Sequence, residues 1–291
     1  MLKGLKAIIL ERFHPAQYLP MIFVFTLSNG LYLNFRENTS MNYVSLSFCF
    51  LIMLSAFFRL RLFDEIKDYK TDLKINPQRP LARNAISISQ TKQIIAILIL
   101  FEIFLSSTMG LFPFFVHLAA ITYSLLMFEE FFIGDRIRPH LTTYAITHTL
   151  VSVLYGISAA VLATKFNLSE LNKFDYFFFL MNWAYFNLFE FARKTYARQE
   201  ERPGVDTYSS LFGPVGAGFL CLSQVFLGLA LIIGVVSQAH FTILAGFGLF
   251  YCLFCLYYMI HPTLKSAKLF RNISGAYLLT HYTILVWIFW R

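Results

Sequence analysis

Residues 59–72 read Arg59-Leu60-Arg61-Leu62-Phe63-Asp64-Glu65-Ile66-Lys67-Asp68-Tyr69-Lys70-Thr71-Asp72. Here a long apolar run, residues 42–63, gives way to dense charge. About 20 apolar residues suffice for a helix to cross the hydrocarbon core of a bilayer, so the run predicts a membrane helix. Asp64, Asp68 and Asp72 are spaced i, i+4, i+8. A helix turns about 100° per residue, so each step of four drifts about 40°, and the three carboxylates share one face over about 12 Å. Two readings are open. The stripe is a solvated helix end with i, i+4 ion pairs to Lys67, Lys70 and Lys74. Alternatively, a hard divalent cation offsets the repulsion among three partly desolvated anions, and magnesium favours a few carboxylates plus substrate phosphate oxygens.

Composition sets the solvent. The 291 residues are 57% hydrophobic and only 14% charged, against about 25% charged in soluble domains. Mean hydropathy is +0.60. No soluble core of this size hides so much apolar side chain, so the bilayer must solvate it. With no polar linker between halves, a single domain over 1–291 is expected. The net charge of +8 does not imply nucleic acid, because the cations lie between apolar runs rather than on a basic face interleaved with stacking aromatics.

Nine spans are expected, at roughly 16–35, 42–63, 93–110, 112–130, 142–163, 174–192, 215–237, 240–260 and 274–290: an all-α polytopic membrane bundle. Residues 1–14 interrupt any signal-peptide pattern with Lys3, Lys6, Glu11 and Arg12. Their apolar face (Leu2, Leu5, Ile8, Ile9, Phe13) predicts an interfacial helix on the membrane surface. With the N-terminus inside, 20 of the 24 Lys and Arg fall on the cytoplasmic side, Arg59 among them. Only Arg36, Lys165, Lys173 and Arg291 fall outside, which follows the positive-inside rule. In a bacterial cell this would be the inner membrane. The two charge-rich inner loops, 59–92 and 190–214, lie four spans apart and hint at an internal repeat. The four cysteines lie in apolar runs; Cys252 and Cys255 form a CxxC with no second pair at zinc spacing, and read as packing residues.

After Asp72 comes Asn76-Pro77-Gln78-Arg79-Pro80-Leu81. Two prolines bracket an arginine, which stiffens a loop around a guanidinium suited to bidentate phosphate contact. This combination, D-E-x-x-D-x-x-x-D followed by R-P-L, resembles the first Asp-rich motif of the UbiA superfamily of intramembrane prenyltransferases. Asp64 stands at that motif's Asn, Glu65 at its first Asp, and Asp68 and Asp72 match directly. The stretch before Arg79 is shorter than usual, with Lys74 in reach of the missing basic position. The second loop carries Glu190, Arg193, Lys194, Arg198, Glu200 and Glu201, then Gly204 through Leu211-Phe212-Gly213. Its glycine-rich end resembles the superfamily's second motif, but Glu190 replaces the first Asp, and cations follow it.

The resemblance implies a magnesium-dependent enzyme. Asp64, Asp68 and Asp72 would serve one ion, and Glu190 with Glu200 a second. Lys74, Arg79, Arg193, Lys194 and Arg198 would hold the diphosphate. The reaction implied is ionisation of an allylic prenyl diphosphate and transfer to an acceptor, often an aromatic ring. Cyclisation without an acceptor, as in UbiA-type terpene synthases, is the alternative. A transporter would scatter its charges through the spans rather than gather them at one face. Glu102, His117, His148, Asn182, Gln224 and His281 lie inside apolar runs. Each is costly there unless it finds a partner or lines a cavity.

Overall fold

The computed structural model describes residues 2–290, so the expected placement of Arg291 lies outside the described residues. Twelve α-helices occur among them. They are α1 (Leu2–Arg12), α2 (Pro15–Glu37), α3 (Tyr43–Ile75), α4 (Ile88–Ser107), α5 (Leu111–Phe128) and α6 (Gly134–Ile137). Next come α7 (Leu141–Thr149), α8 (Val151–Thr164), α9 (Lys173–Arg193), α10 (Tyr208–Ile232), α11 (Gln238–Ile260) and α12 (Leu264–Phe289). No strand is present among the described residues.

A helix occupies each of the nine expected stretches, the fifth being the pair α7–α8. Six segments are long and apolar enough to cross a membrane: α3, α4, α5, α7 with α8, α10 and α11. The chain is therefore a multi-pass membrane protein. Leu100, Phe104, Leu111, Leu249, Leu253 and Phe219 all lie exposed on these helices, as lipid-facing side chains do. The other three long helices are more polar or aromatic: α2 carries Ser28, Asn29 and Asn34, α9 is rich in Phe and Tyr, and α12 begins with Lys265, Lys268 and Arg271.

Polar side chains fix the helix starts. Asn42 accepts from the Ser45 amide at the head of α3, and Ser87 and Gln90 form a reciprocal capping box on α4. Asn172 and Asp175 do the same on α9. Each satisfies backbone donors that have no partner in the first turn.

The chain divides into two compact units. One runs to Glu129 and includes Ser158–Phe166; the other comprises Glu130–Ile157 and the residues from Asn167 onward. Each carries one of the two charge-rich loops. The second begins with Glu130, Phe131 and Phe132 at positive φ, an uncommon left-handed run for residues with a side chain. Glu130 is held there by Arg138 at 2.6 Å and by the Tyr144 hydroxyl at 3.2 Å.

The first unit has a charged centre. Arg59 on α3 and Glu102 on α4 are both fully buried, and Arg59 donates from Nε and Nη2 to the two carboxylate oxygens at 3.0 and 2.8 Å. Ser55 donates to Glu102 at 2.9 Å, and Arg59 Nη1 donates to Ser124 at 2.5 Å. His117 on α5 sits 3.3 Å from Glu102 through Nε2 and 2.8 Å from Ser158 through Nδ1. Arg59 is thus not a cytoplasmic loop cation as the charge count had it. Glu102 requires a counter-charge inside the helix packing, and Arg59 is that charge. Removing one partner of a buried pair costs about 3–5 kcal/mol, because the other is left uncompensated. Glu102→Gln is expected to destabilise the folded protein by about that amount. Thermal unfolding in detergent checks this; an unchanged midpoint would show that the pair does not hold α3 to α4.

Candidate functional site

The membrane run expected to end near residue 63 continues as helix through the stripe, to Ile75. The extension contains Leu, Ile, Glu and Lys, which favour helix, and no Pro or Gly until Pro77. Asp64, Asp68 and Asp72 therefore do lie on successive turns of one helix. Asn76 closes it, its amide donating to the Asp72 carbonyl at 2.9 Å.

Within the expected inner loop, the residues between α3 and α4 make a tight turn. Arg79 donates to the Asn76 carbonyl, Arg83 to Arg79, and Ala85 to Pro80 through backbone bonds of 2.9–3.0 Å. Leu81 and Ile86 anchor the turn in a core formed with Ile8, Leu62, Phe63, Ile94 and Ile95.

The three carboxylates are not equivalent. Asp72 is 4% exposed, and Arg79 Nη1 lies 2.7 Å from each of its oxygens; Asn76 adds a bond at 3.0 Å. Asp68 is 54% exposed, with the same Arg79 nitrogen 3.6 Å away. Asp64 is 51% exposed, 3.6 Å from Arg61. Both separations exceed hydrogen-bond length. Asp68 lies beyond the apolar run, and partial desolvation, then the charges of Asp64 and Asp72, hold its pKa above the usual carboxylate value. Lys74 stands exposed on the last turn.

Glu65, beside the stripe, faces inward. It is 1% exposed and accepts from Arg12 at 2.6 Å and Arg61 at 2.7 Å. Sequence reading missed this role because Arg12 lies 53 positions away.

Among the described residues no three His, Cys, Asp or Glu side chains are gathered to hold a metal ion. The donor chemistry nevertheless fits magnesium. Asp64 and Asp68 are hard oxygen donors, neighbours at i, i+4, half exposed and short of a close cation. Magnesium keeps several waters and takes one or two carboxylates when phosphate oxygens complete its shell.

In the second unit Glu190 and Glu200 are already paired with cations. Glu190, at the end of α9, pairs with Arg193 and with Lys194, the latter at 3.0 Å. Glu200, in a short 3-10 turn, makes a bidentate pair with Arg271 of α12 at 2.6 and 2.9 Å. Glu201 accepts from Thr207 and Ser209, and Thr207 caps α10. Arg198 is exposed. The turn that follows brings Gly204 to φ 76° and kinks α10 at Gly213, φ 70°, positions that suit glycine. Glu190, Arg193 and Lys194 thus come together; Glu200 is drawn to α12 instead.

The lone polar residues in the second unit have mixed fates. Asn182 accepts from Tyr282 at 2.7 Å, and Gln224 accepts from Asn187 at 3.4 Å. His148 bonds within its own helix to the Tyr144 carbonyl at 2.7 Å. His281 is buried with neither ring nitrogen bonded.

The fold is shared with two solved structures, one of them that of a UbiA homolog. The chain superposes on the apo structure of a UbiA homolog from Aeropyrum pernix K1 with a TM-score of 0.64 and 15% identity, over 91% of this chain and 96% of that one. It also superposes on a solved structure from work on the biosynthesis of digeranylgeranylglyceryl phosphate synthase in membranes. There the TM-score is 0.63 and the identity 13%, over 98% of both chains. No protein-family model and no curated protein matches the sequence.

The Glu200–Arg271 pair lies outside the apolar runs and predicts a pH dependence. Its hydrogen bonds, chiefly from Arg271, hold the Glu200 pKa below the usual value. A depressed carboxylate pKa adds stability above the unfolded value, about 4.3, and that stability is lost as pH falls through the folded pKa. The melting-temperature difference between wild type and Arg271→Gln should be full above about pH 4.3 and shrink below it. A constant difference from pH 3 to pH 6 would show that the pair does not supply it.

Proposed function

We propose that the chain is a magnesium-dependent membrane prenyltransferase that ionises an allylic isoprenoid diphosphate and passes the prenyl group to an acceptor, an aromatic ring by preference. The observation that carries this is the state of the stripe. On a helix emerging from an apolar run, in this fold, Asp64 and Asp68 stand half exposed with their nearest cations 3.6 Å away, beside a guanidinium held at Asp72.

In this reading Asp64, Asp68 and Asp72 hold magnesium, which when bound stabilises the charge growing on the leaving diphosphate. Arg79 and Lys74 contact the diphosphate from the same side. Arg79 can do so by trading Asp72 for phosphate oxygens, since both suit a bidentate guanidinium. The allylic C–O bond breaks, the diphosphate leaves with the electron pair, and the acceptor carbon bonds to the allylic carbon and releases a proton. Apolar helices keep water from the cation. Glu190 and Glu200 would have to give up Arg193, Lys194 and Arg271 to bind an ion, so the proposal rests the metal on the first unit. Arg193, Lys194 and Arg198 give the end of the second motif a net positive charge, which suits phosphate.

That altered second motif favours one further reading, cyclisation of the prenyl diphosphate to a terpene without an acceptor. For either reaction the proposal includes nine membrane helices, with α1 and both charged ends cytoplasmic, the bilayer and a prenyl diphosphate as partners, and no nucleic acid.

Purified protein incubated with prenyl diphosphates of several lengths, with and without aromatic acceptors, tests the reading by mass spectrometry. Prenylated acceptor supports transfer; a hydrocarbon or alcohol formed from diphosphate alone supports cyclisation; neither product under any condition rejects both. Asp68→Ala should abolish diphosphate release while leaving the protein inserted and folded, and full release would sink the magnesium role. A cysteine replacing Asn76 should react with an impermeant reagent only from the cytoplasmic side; reaction from outside would invert the topology.

A further inference from the structure

The N-terminal helix does more than lie beside the bundle. Ile8 is fully buried in the core that anchors the 76–87 turn. Gly4 passes so close to that turn that a Cβ there would sit 2.3 Å from the Ala85 carbonyl oxygen and 2.7 Å from the Ile86 Cβ. Phe13 is buried, with its ring stacked on Tyr18 at 4.3 Å and edge-on to Phe58 of α3 at 5.0 Å. A helix meant only to float on lipid has no use for a glycine pressed against a backbone carbonyl.

Its last two charges reach in different directions. Glu11 takes the Arg83 guanidinium on both oxygens, at 2.8 and 2.6 Å. Arg83 also donates to the Gln78 carbonyl at 2.5 Å, the residue before Arg79. Arg12 reaches α3 instead, pairing at 2.6 Å with the buried Glu65. One helix end therefore ties the turn bearing Arg79 to the helix bearing Asp64, Asp68 and Asp72.

We propose that α1 is a strap that positions the Arg79 turn against the carboxylate stripe, with Glu11, Arg12, Glu65 and Arg83 as its positioning residues. Its contacts set where the Arg79 guanidinium stands relative to Asp68 and Asp72. The strap itself is independent of the reaction; its effect on ligand binding rests on the magnesium and diphosphate reading above.

Charge reversal with repair tests it, on full-length protein in nanodiscs. Glu11→Arg and Arg83→Glu each leave like charges facing, and the double exchange restores an opposite pair. Hydrogen exchange of the backbone amides at 83–85, which are bonded within the turn, should quicken about fivefold in each single variant, the scale of a lost ion pair. The double variant should return it to the wild-type rate. Manganese binding in the presence of pyrophosphate, followed by electron paramagnetic resonance, should weaken about threefold or more in the single variants and recover in the double. Unchanged exchange in both single variants overturns the strap. Faster exchange with manganese–pyrophosphate binding equal to wild type overturns its positioning role. Should exchange behave as expected while the wild type binds no manganese with pyrophosphate, the strap stands and the magnesium reading falls.

Discussion

The first unit depends on a charge pair placed where charges are most expensive. Arg59 and Glu102 meet inside the packing of α3, α4 and α5, where Ser55, Ser124 and His117 also reach them. Such a pair is poor at adding stability, because desolvation cancels most of the attraction. It is good at excluding alternatives. Sliding α3 by one residue against α4 would leave a guanidinium and a carboxylate uncompensated in an apolar surround. Asp64 follows Arg59 by five residues on the same unbroken helix, a rise of about 7.5 Å. The depth of the whole stripe is thus tied to one buried contact.

This explains what could be read from the sequence and what could not. Helix existence follows from local pattern, and each expected span has its helix, because apolar run length is a local property; α3, α10 and α12 run past the expected bounds, since polar residues can extend a helix beyond its apolar run. The shared face of Asp64, Asp68 and Asp72 is likewise a consequence of helical period alone. Partners are not local. Arg12 and Glu65 are 53 positions apart, and Glu200 and Arg271 are 71 apart. Arg59 read as one more cytoplasmic cation because its own neighbourhood, Arg59-Leu60-Arg61, looks like the start of a loop. The one available signal was Glu102, an acid alone in an apolar run, which had to find a cation on another helix. Even Asp72 and Arg79, only seven apart, meet because Pro77 and Pro80 fold the turn back, a geometry that spacing does not reveal.

The carboxylates of the stripe differ in how closely a cation meets them. A solvated helix end would pair its carboxylates with Lys67, Lys70 and Lys74 on adjacent turns. Lys67 reaches the Met127 carbonyl at 3.5 Å, and arginines stand at all three carboxylates. Glu65, Asp72, Glu102, Glu190 and Glu200 each have a cation within 3.0 Å. Asp64 and Asp68 have theirs at 3.6 Å. Those five acids are closed by a guanidinium or an ammonium. Two adjacent acids on one face are left short of that closure, with like charges facing each other at the end of a membrane helix. Their mutual repulsion is a cost that nothing in the first unit's packing requires. A divalent cation carried in with a diphosphate would relieve it, and an ordinary helix end would have spent a lysine there instead.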